Sequence, residues 1–151
     1  MDFIFTPFVL SHAGLFAAAF LAATVFPFQS ELVLVGLLVA EPTHWATLLA
    51  AASVGNTLGS VVNWVLGRWI ERFRDRRWFP VKPRDYERVE RWYARWGVWS
   101  LLFAWLPFGG DALTVVAGAL RTPLLPFILL VAIGKTARYA ALIAATLGWL
   151  A

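Results

Sequence analysis

Apolar residues run in long blocks along this chain, and the few charges fall between them. No Asp, Glu, Lys or Arg occurs between Asp2 and Glu31, and none between Glu41 and Arg68. In the first block, Phe3–Phe8 reads as a short apolar leader at a membrane interface. His12–Phe26 follows and stops at Pro27; Ser30–Ala40 comes next and stops at Glu41-Pro42. A helix needs ~20 apolar residues to cross the hydrocarbon, whereas runs of about 10–14 belong more often to re-entrant segments. Two short arms joined at Pro27 therefore predict a hairpin that enters and leaves on one side. Irregular backbone at that depth is tolerated only against protein or a cavity, so the tip should face the protein interior. The alternative is a full crossing by Phe3–Phe26, with the N-terminus in the cytoplasm.

Thr43–Gly67 is uncharged and free of Pro. At a rise of about 1.5 Å per residue it reaches ~37 Å, enough to cross with some tilt. Ala51, Gly55 and Gly59 form a small-residue stripe, which lets helices approach closely in lipid. Asn56 and Asn63 beside it are costly to bury and should hydrogen-bond to a neighbouring helix. Arg68–Pro83 is a charged, Pro-punctuated loop. In Arg84–Trp96 the arginines Arg84, Arg88, Arg91 and Arg95 take one face, opposite Tyr86, Val89, Trp92, Tyr93 and Trp96. That pattern predicts an amphipathic helix along the interface.

From Trp96 the first half is replayed. Trp96–Leu106 is an apolar arm, Pro107–Gly110 a tip, Asp111–Leu120 a second arm and Thr122–Leu150 a long span. Gly14 matches Gly97, Pro27 matches Pro107, Glu31 matches Asp111, and Gly55-Asn56-Thr57 matches Gly134-Lys135-Thr136. Four landmarks in order predict an internal duplication. One hairpin plus one crossing per half makes it an inverted repeat, the plan of many secondary transporters, with the binding site between repeats near the midplane. The expected fold is thus all-α and integral to the membrane. A single membrane domain covers 1–151, with repeats at about 12–68 and 96–151 and a linker at 69–95. The tips would carry Pro27 and Ser30 in the first hairpin, Pro107, Gly109 and Gly110 in the second.

Composition agrees. Of 151 residues 60% are hydrophobic, against roughly 45–50% in an average soluble domain. The net charge of +4 is local: Arg68–Arg95 holds ten basic and five acidic residues, leaving three basic against four acidic elsewhere. This excess places the 69–95 loop on the cytoplasmic side, and nucleic-acid binding is not expected. The chain has no Cys, so neither a disulfide framework nor a thiolate metal site is available. The N-terminus lacks the basic region of a cleavable signal peptide.

Four charges remain at apolar depth: Glu31 and Asp111 at the tips, and Lys135 and Arg138 on one face of the last span. A charge at a helix centre costs ~2.5–3.5 kcal/mol on insertion scales, so such groups turn inward and pair. A static clamp between the halves is one reading. A substrate- or proton-binding site made of Glu31, Asp111, Lys135 and Arg138, with Asn56 beside it, is the other. Both acids open helices, where the free N–H groups favour an anion. Arg121, at the end of the second hairpin, either snorkels to the interface or meets a lipid phosphate. His12 and His44 receive no metal or catalytic role. Without a nucleophile–base pair, a metal cluster or a glycine-rich phosphate loop, no enzyme and no cofactor is expected. The competing functional class is a non-transporting envelope scaffold. So small a membrane domain is compatible with a homodimer.

These stretches resemble the DedA (SNARE-associated, VTT-domain) family of membrane proteins, and more closely its small YqaA-like branch. The resemblance rests on Ser30–Val35, Gly55–Gly59, Asn63–Arg68, Trp105–Arg121 and Gly134-Lys135 with Arg138-Tyr139. It implies two re-entrant hairpins in a bacterial inner membrane. It also implies movement of lipids or lipid carriers, such as a polyprenyl phosphate, with proton coupling. Glu31 matches the acid of the family's first hairpin and Arg121 the arginine after its Ala-Gly pair. At the second tip members carry an arginine, where this chain has Gly110 followed by Asp111.

Overall fold

A computed structural model describes residues 2–24, 29–69, 83–106 and 110–151. Pro27, Pro107, Gly109 and residues 70–82 of the 69–95 loop lie outside the described residues. Those described form helices and turns alone. α1 spans Asp2–Thr24, α2 Gln29–Ala40, α3 Trp45–Arg68, α4 Pro83–Trp96, α5 Gly110–Ala119 and α6 Leu124–Leu150. Short 3₁₀ stretches cover Pro42–His44 and Gly97–Phe103. α3 and α6 are long and apolar enough to cross a membrane.

Around a largely apolar core, large apolar side chains also cover the surface and a set of polar ones lies inside. Leu32, Leu125, Leu129 and Ile133 face outward, while Asn56, Ser60, Asn63 and Lys135 are buried. An aqueous fold would reverse this, because apolar surface is what water expels. In lipid there is no such gradient, and helix association depends on close packing and interhelical hydrogen bonds instead.

Glycines set that packing. A Cβ on Gly55 would stand 2.4 Å from the Phe16 carbonyl oxygen, and one on Gly59 2.5 Å from that of Phe20. Farther along, Asn63 Nδ2 donates to the Ala23 carbonyl at 2.7 Å. Residues 16, 20 and 23 thus meet 55, 59 and 63 in rising order, so α1 runs parallel to α3. At its other end His12 Nε2 and Thr47 Oγ1 lie 2.9 Å apart. In the second half a Cβ on Gly134 of α6 would stand 2.6 Å from the Leu102 carbonyl oxygen. Arg138 then reaches the Trp105 carbonyl, so 97–106 runs parallel to α6 in the same way. Each long helix also receives the second arm of the other half. α5 crosses α3 where Gly118 faces the Trp64 carbonyl and Gly67 that of Val115. Leu34 and Leu38 of α2 share a buried cluster with Tyr139 and Ile143 of α6. That cluster also holds Leu48 and Ala52, from the start of α3. The Trp64 indole, near the other end of α3, donates to the Thr122 carbonyl just before α6. Hence α3 and α6 are antiparallel.

Two expectations change. The leader and the first arm are one continuous helix, Asp2–Thr24, with Pro7 inside it. Proline lacks an N–H and crowds the carbonyl four residues back, but so close to a helix start few bonds are at stake. Within Trp96–Leu106, expected as a helical arm, residues Gly97–Phe103 are 3₁₀ rather than α-helical. Gly97 sits at φ 65°, which ends α4, and the Ser100 hydroxyl binds the Gly97 carbonyl at 2.6 Å. In α4, Val89 is buried and Tyr93 half-buried against α5, but Trp92 and Trp96 are exposed.

Candidate functional site

The site is built on the middle of α6. Lys135 and Arg138 are three residues apart and so nearly share a face. Each meets an acid from a different second arm. Arg138 forms an ion pair with Glu31, in the first turn of α2. Lys135 Nζ lies 3.5 Å from Asp111 Oδ1, in the first turn of α5. Two segments eighty residues apart in sequence thus converge within one turn of a single helix. Lys135 is 11 residues, or about 17 Å, from the start of α6, which is close to the middle of a span of this length.

A neutral network adjoins the charges. Tyr139, next to Arg138, shares a hydrogen bond of 2.9 Å with Ser30 and accepts one of 3.0 Å from Asn56 Nδ2. The second proton of that amide goes to the Ala19 carbonyl at 3.0 Å. α1, α2, α3 and α6 are tied together through one phenol. On the other side Asn63 donates to Thr114 Oγ1 at 3.2 Å, and Thr114 donates to the Asp111 carbonyl at 2.6 Å. Ser53 Oγ, Thr57 Oγ1 and Asn63 Oδ1 are buried without a hydrogen-bond partner among the described residues.

Of the residues singled out in the sequence, Glu31, Asp111, Lys135, Arg138, Ser30 and Asn56 come together. Gly110 is buried at the start of α5, where a Cβ would stand 2.4 Å from the Ala104 carbonyl oxygen. Arg121 does not join them. It follows the far end of α5, ten residues or about 15 Å of helix from Asp111. There it adopts φ 60°, and the Thr122 and Arg121 N–H groups return to the Ala117 and Gly118 carbonyls at 2.9 and 3.0 Å. This is a Schellman cap with arginine in the position usually held by glycine. Tyr139 and Thr114 were not flagged by pattern, although Tyr139 lies one turn beyond Lys135 on the same face. Among the described residues no group of three His, Asp or Glu could hold a metal.

The VTT domain family model matches residues 26–150, covering both tips and all four charges. The chain is a VTT-domain protein. It is 39% identical over 137 residues to the inner membrane protein YqaA of Escherichia coli, covering 91% of this chain and 92% of that one. A Haemophilus influenzae protein is 34% identical over 140 residues. Undecaprenyl phosphate transporter A of Staphylococcus aureus is 26% identical over 149 residues, 90% of this chain and 73% of that one. No solved structure matches. With two helices able to cross a bilayer, this VTT-domain protein resides in the inner membrane.

Proposed function

We propose that this VTT-domain protein translocates a phosphate-bearing lipid or lipid carrier across the inner membrane through the Glu31–Asp111–Lys135–Arg138 centre. The observation that carries the reading is the meeting of two acids, from separate second arms, with two bases on one turn of α6. Two bases half-way along an apolar helix, with the two acids that meet them, are costly to maintain. They are also what an anionic headgroup needs in order to leave the interface. The relationship to a transporter of undecaprenyl phosphate supports this substrate class.

The topology that goes with it is an inverted repeat of two re-entrant helical hairpins. Its support is that each first arm runs parallel to its own long helix and each second arm packs on the other one. In this reading α1–α2 enters from outside, the 97–120 segment enters from the cytoplasm, and α4 with the 69–95 loop is cytoplasmic. Such a centre would be exposed alternately by rocking one repeat against the other. No enzymatic step is part of the proposal.

The test is reconstitution in vesicles. Glu31→Gln and Asp111→Asn proteins that are extracted and folded normally should lose transfer of a polyprenyl phosphate between leaflets. Normal transfer by both would refute translocation through this centre.

A further inference from the structure

The two ion pairs of the centre are unlike, and the difference assigns them different work. Arg138 is held at two points: one side of its guanidinium meets Glu31, and another N–H donates to the Trp105 carbonyl at 2.9 Å. Lys135 is not. Its side chain is only 4% exposed, yet among the described residues its ammonium has one partner, Asp111, at 3.5 Å. A charge-assisted N–H···O bond runs at about 2.7–2.9 Å, and an ammonium offers three donors. A buried cation with donors in hand is a costly feature that calls for an explanation. Asp111, by contrast, keeps 33% of its side chain exposed, so the pair is open on the acid's side and closed on the lysine's.

We propose that Lys135 is the ligand for a phosphate oxygen of the translocated lipid, and that Asp111 holds Lys135 until that oxygen displaces it. Arg138–Glu31 is the fixed pair that keeps α2 on α6 while the exchange occurs. The proposal rests on the translocation reading and names the group that takes the headgroup. Replacing one anionic oxygen by another keeps the lysine neutralised throughout the exchange. Asp111 is released toward the open side of the pair, where its exposure already lies. The geometry also sets a sign. Asp111 competes with the ligand, so removing its charge strengthens binding, although the same change removes the group that displaces the ligand and thus stops turnover.

The experiment titrates farnesyl phosphate, a short polyprenyl monoester, into purified protein in detergent micelles and reads tryptophan fluorescence; Trp105 lies beside Arg138. Asp111→Asn should bind about tenfold more tightly than the wild type. The neutral pair Asp111→Asn/Lys135→Met, which strands no charge and so should fold, should not bind measurably. Titration with phosphatidylglycerol, a diester, separates the two phosphate classes. Response to the monoester alone assigns the carrier, and response to both extends the site to leaflet lipids. Equal or weaker binding by Asp111→Asn, or retained binding by the neutral pair, overturns the exchange. Wild-type translocation in vesicles, measured in parallel, shows whether the translocation reading stands when the exchange fails. Absence of both binding and translocation overturns the two together.

Discussion

Ser30 and Tyr139, separated by 109 positions in the chain, share a buried hydrogen bond of 2.9 Å that fastens the start of α2 to the middle of α6. The phenol also accepts from Asn56, which reaches on to the backbone of α1. One hydroxyl thus fixes the position from which Glu31, the residue after Ser30, meets Arg138, the residue before Tyr139.

Tyr139→Phe should therefore loosen the centre without unfolding the protein. It leaves Ser30 Oγ and one Asn56 proton unsatisfied, a loss of about 1–3 kcal/mol for buried groups. Thermal unfolding in detergent measures the loss. A double-mutant cycle with Ser30→Ala isolates the pair, and interhelical bonds of this kind average ~0.6 kcal/mol in such cycles. A coupling of zero would mean that the bond does not hold α2 in place.

The glycines divide into two groups with opposite expectations. A Cβ on Gly67 would lie 1.9 Å from the Val115 carbonyl, and one on Gly118 2.0 Å from that of Trp64. Both neighbours are backbone, so α3 and α5 must separate. Gly67→Ala or Gly118→Ala should cost about 2 kcal/mol or more, in the range of overpacked cores. Gly14 and Gly148 have nothing within 4 Å of a Cβ. Alanine there should be neutral or stabilising by up to ~1 kcal/mol, since glycine is the weaker helix former. Melting curves for the four variants would test the helix crossing directly.

Much of this could be read from the chain because membrane proteins punctuate sharply. Prolines and charges marked where α2, α3 and α5 stop, and burial cost indicated that Glu31, Asp111, Lys135 and Arg138 turn inward. What the sequence left open was the pairing. Lys135 and Arg138 are both basic and one turn apart, and which acid meets which depends on how deep each second arm sits. Helix type in 97–103 was equally hidden, because an apolar run reads alike as 3₁₀ or α until the positive φ of Gly97 is seen. Tyr139 escaped notice because a tyrosine in an apolar span looks like packing; its role depends on Ser30 and Asn56, remote in sequence.

Arg121 carries a strained backbone that glycine would relieve. A left-handed φ costs a side-chain-bearing residue roughly 1 kcal/mol or more, and the cap's hydrogen bonds need no side chain. Arg121→Gly should raise thermal stability by about that amount. If the guanidinium contributes to lipid entry, the same variant should slow translocation while it stabilises the fold. Greater stability with unchanged transfer would leave Arg121 as a snorkelling residue alone.

Sidedness supplies the most general prediction, and a chain without cysteine is suited to it. Single cysteines at Glu41 and Thr43 should react with an impermeant maleimide from outside the cell. Those at Trp69 and Arg121 should react only after access to the cytoplasm, because the Trp64 indole ties that end of α3 to Thr122. Ser30→Cys is the decisive position. α1 enters beside the start of α3, and its last turns lie level with Asn63. In the hairpin reading Ser30 is held at depth against Tyr139 and reacts slowly from either side. If α1 instead crosses completely, α2 begins at the cytoplasmic surface and Ser30→Cys reacts quickly from there. Fast cytoplasmic labelling at this residue would turn the first hairpin into a pair of crossings, and Glu31 would reach Arg138 from the membrane boundary instead of its centre.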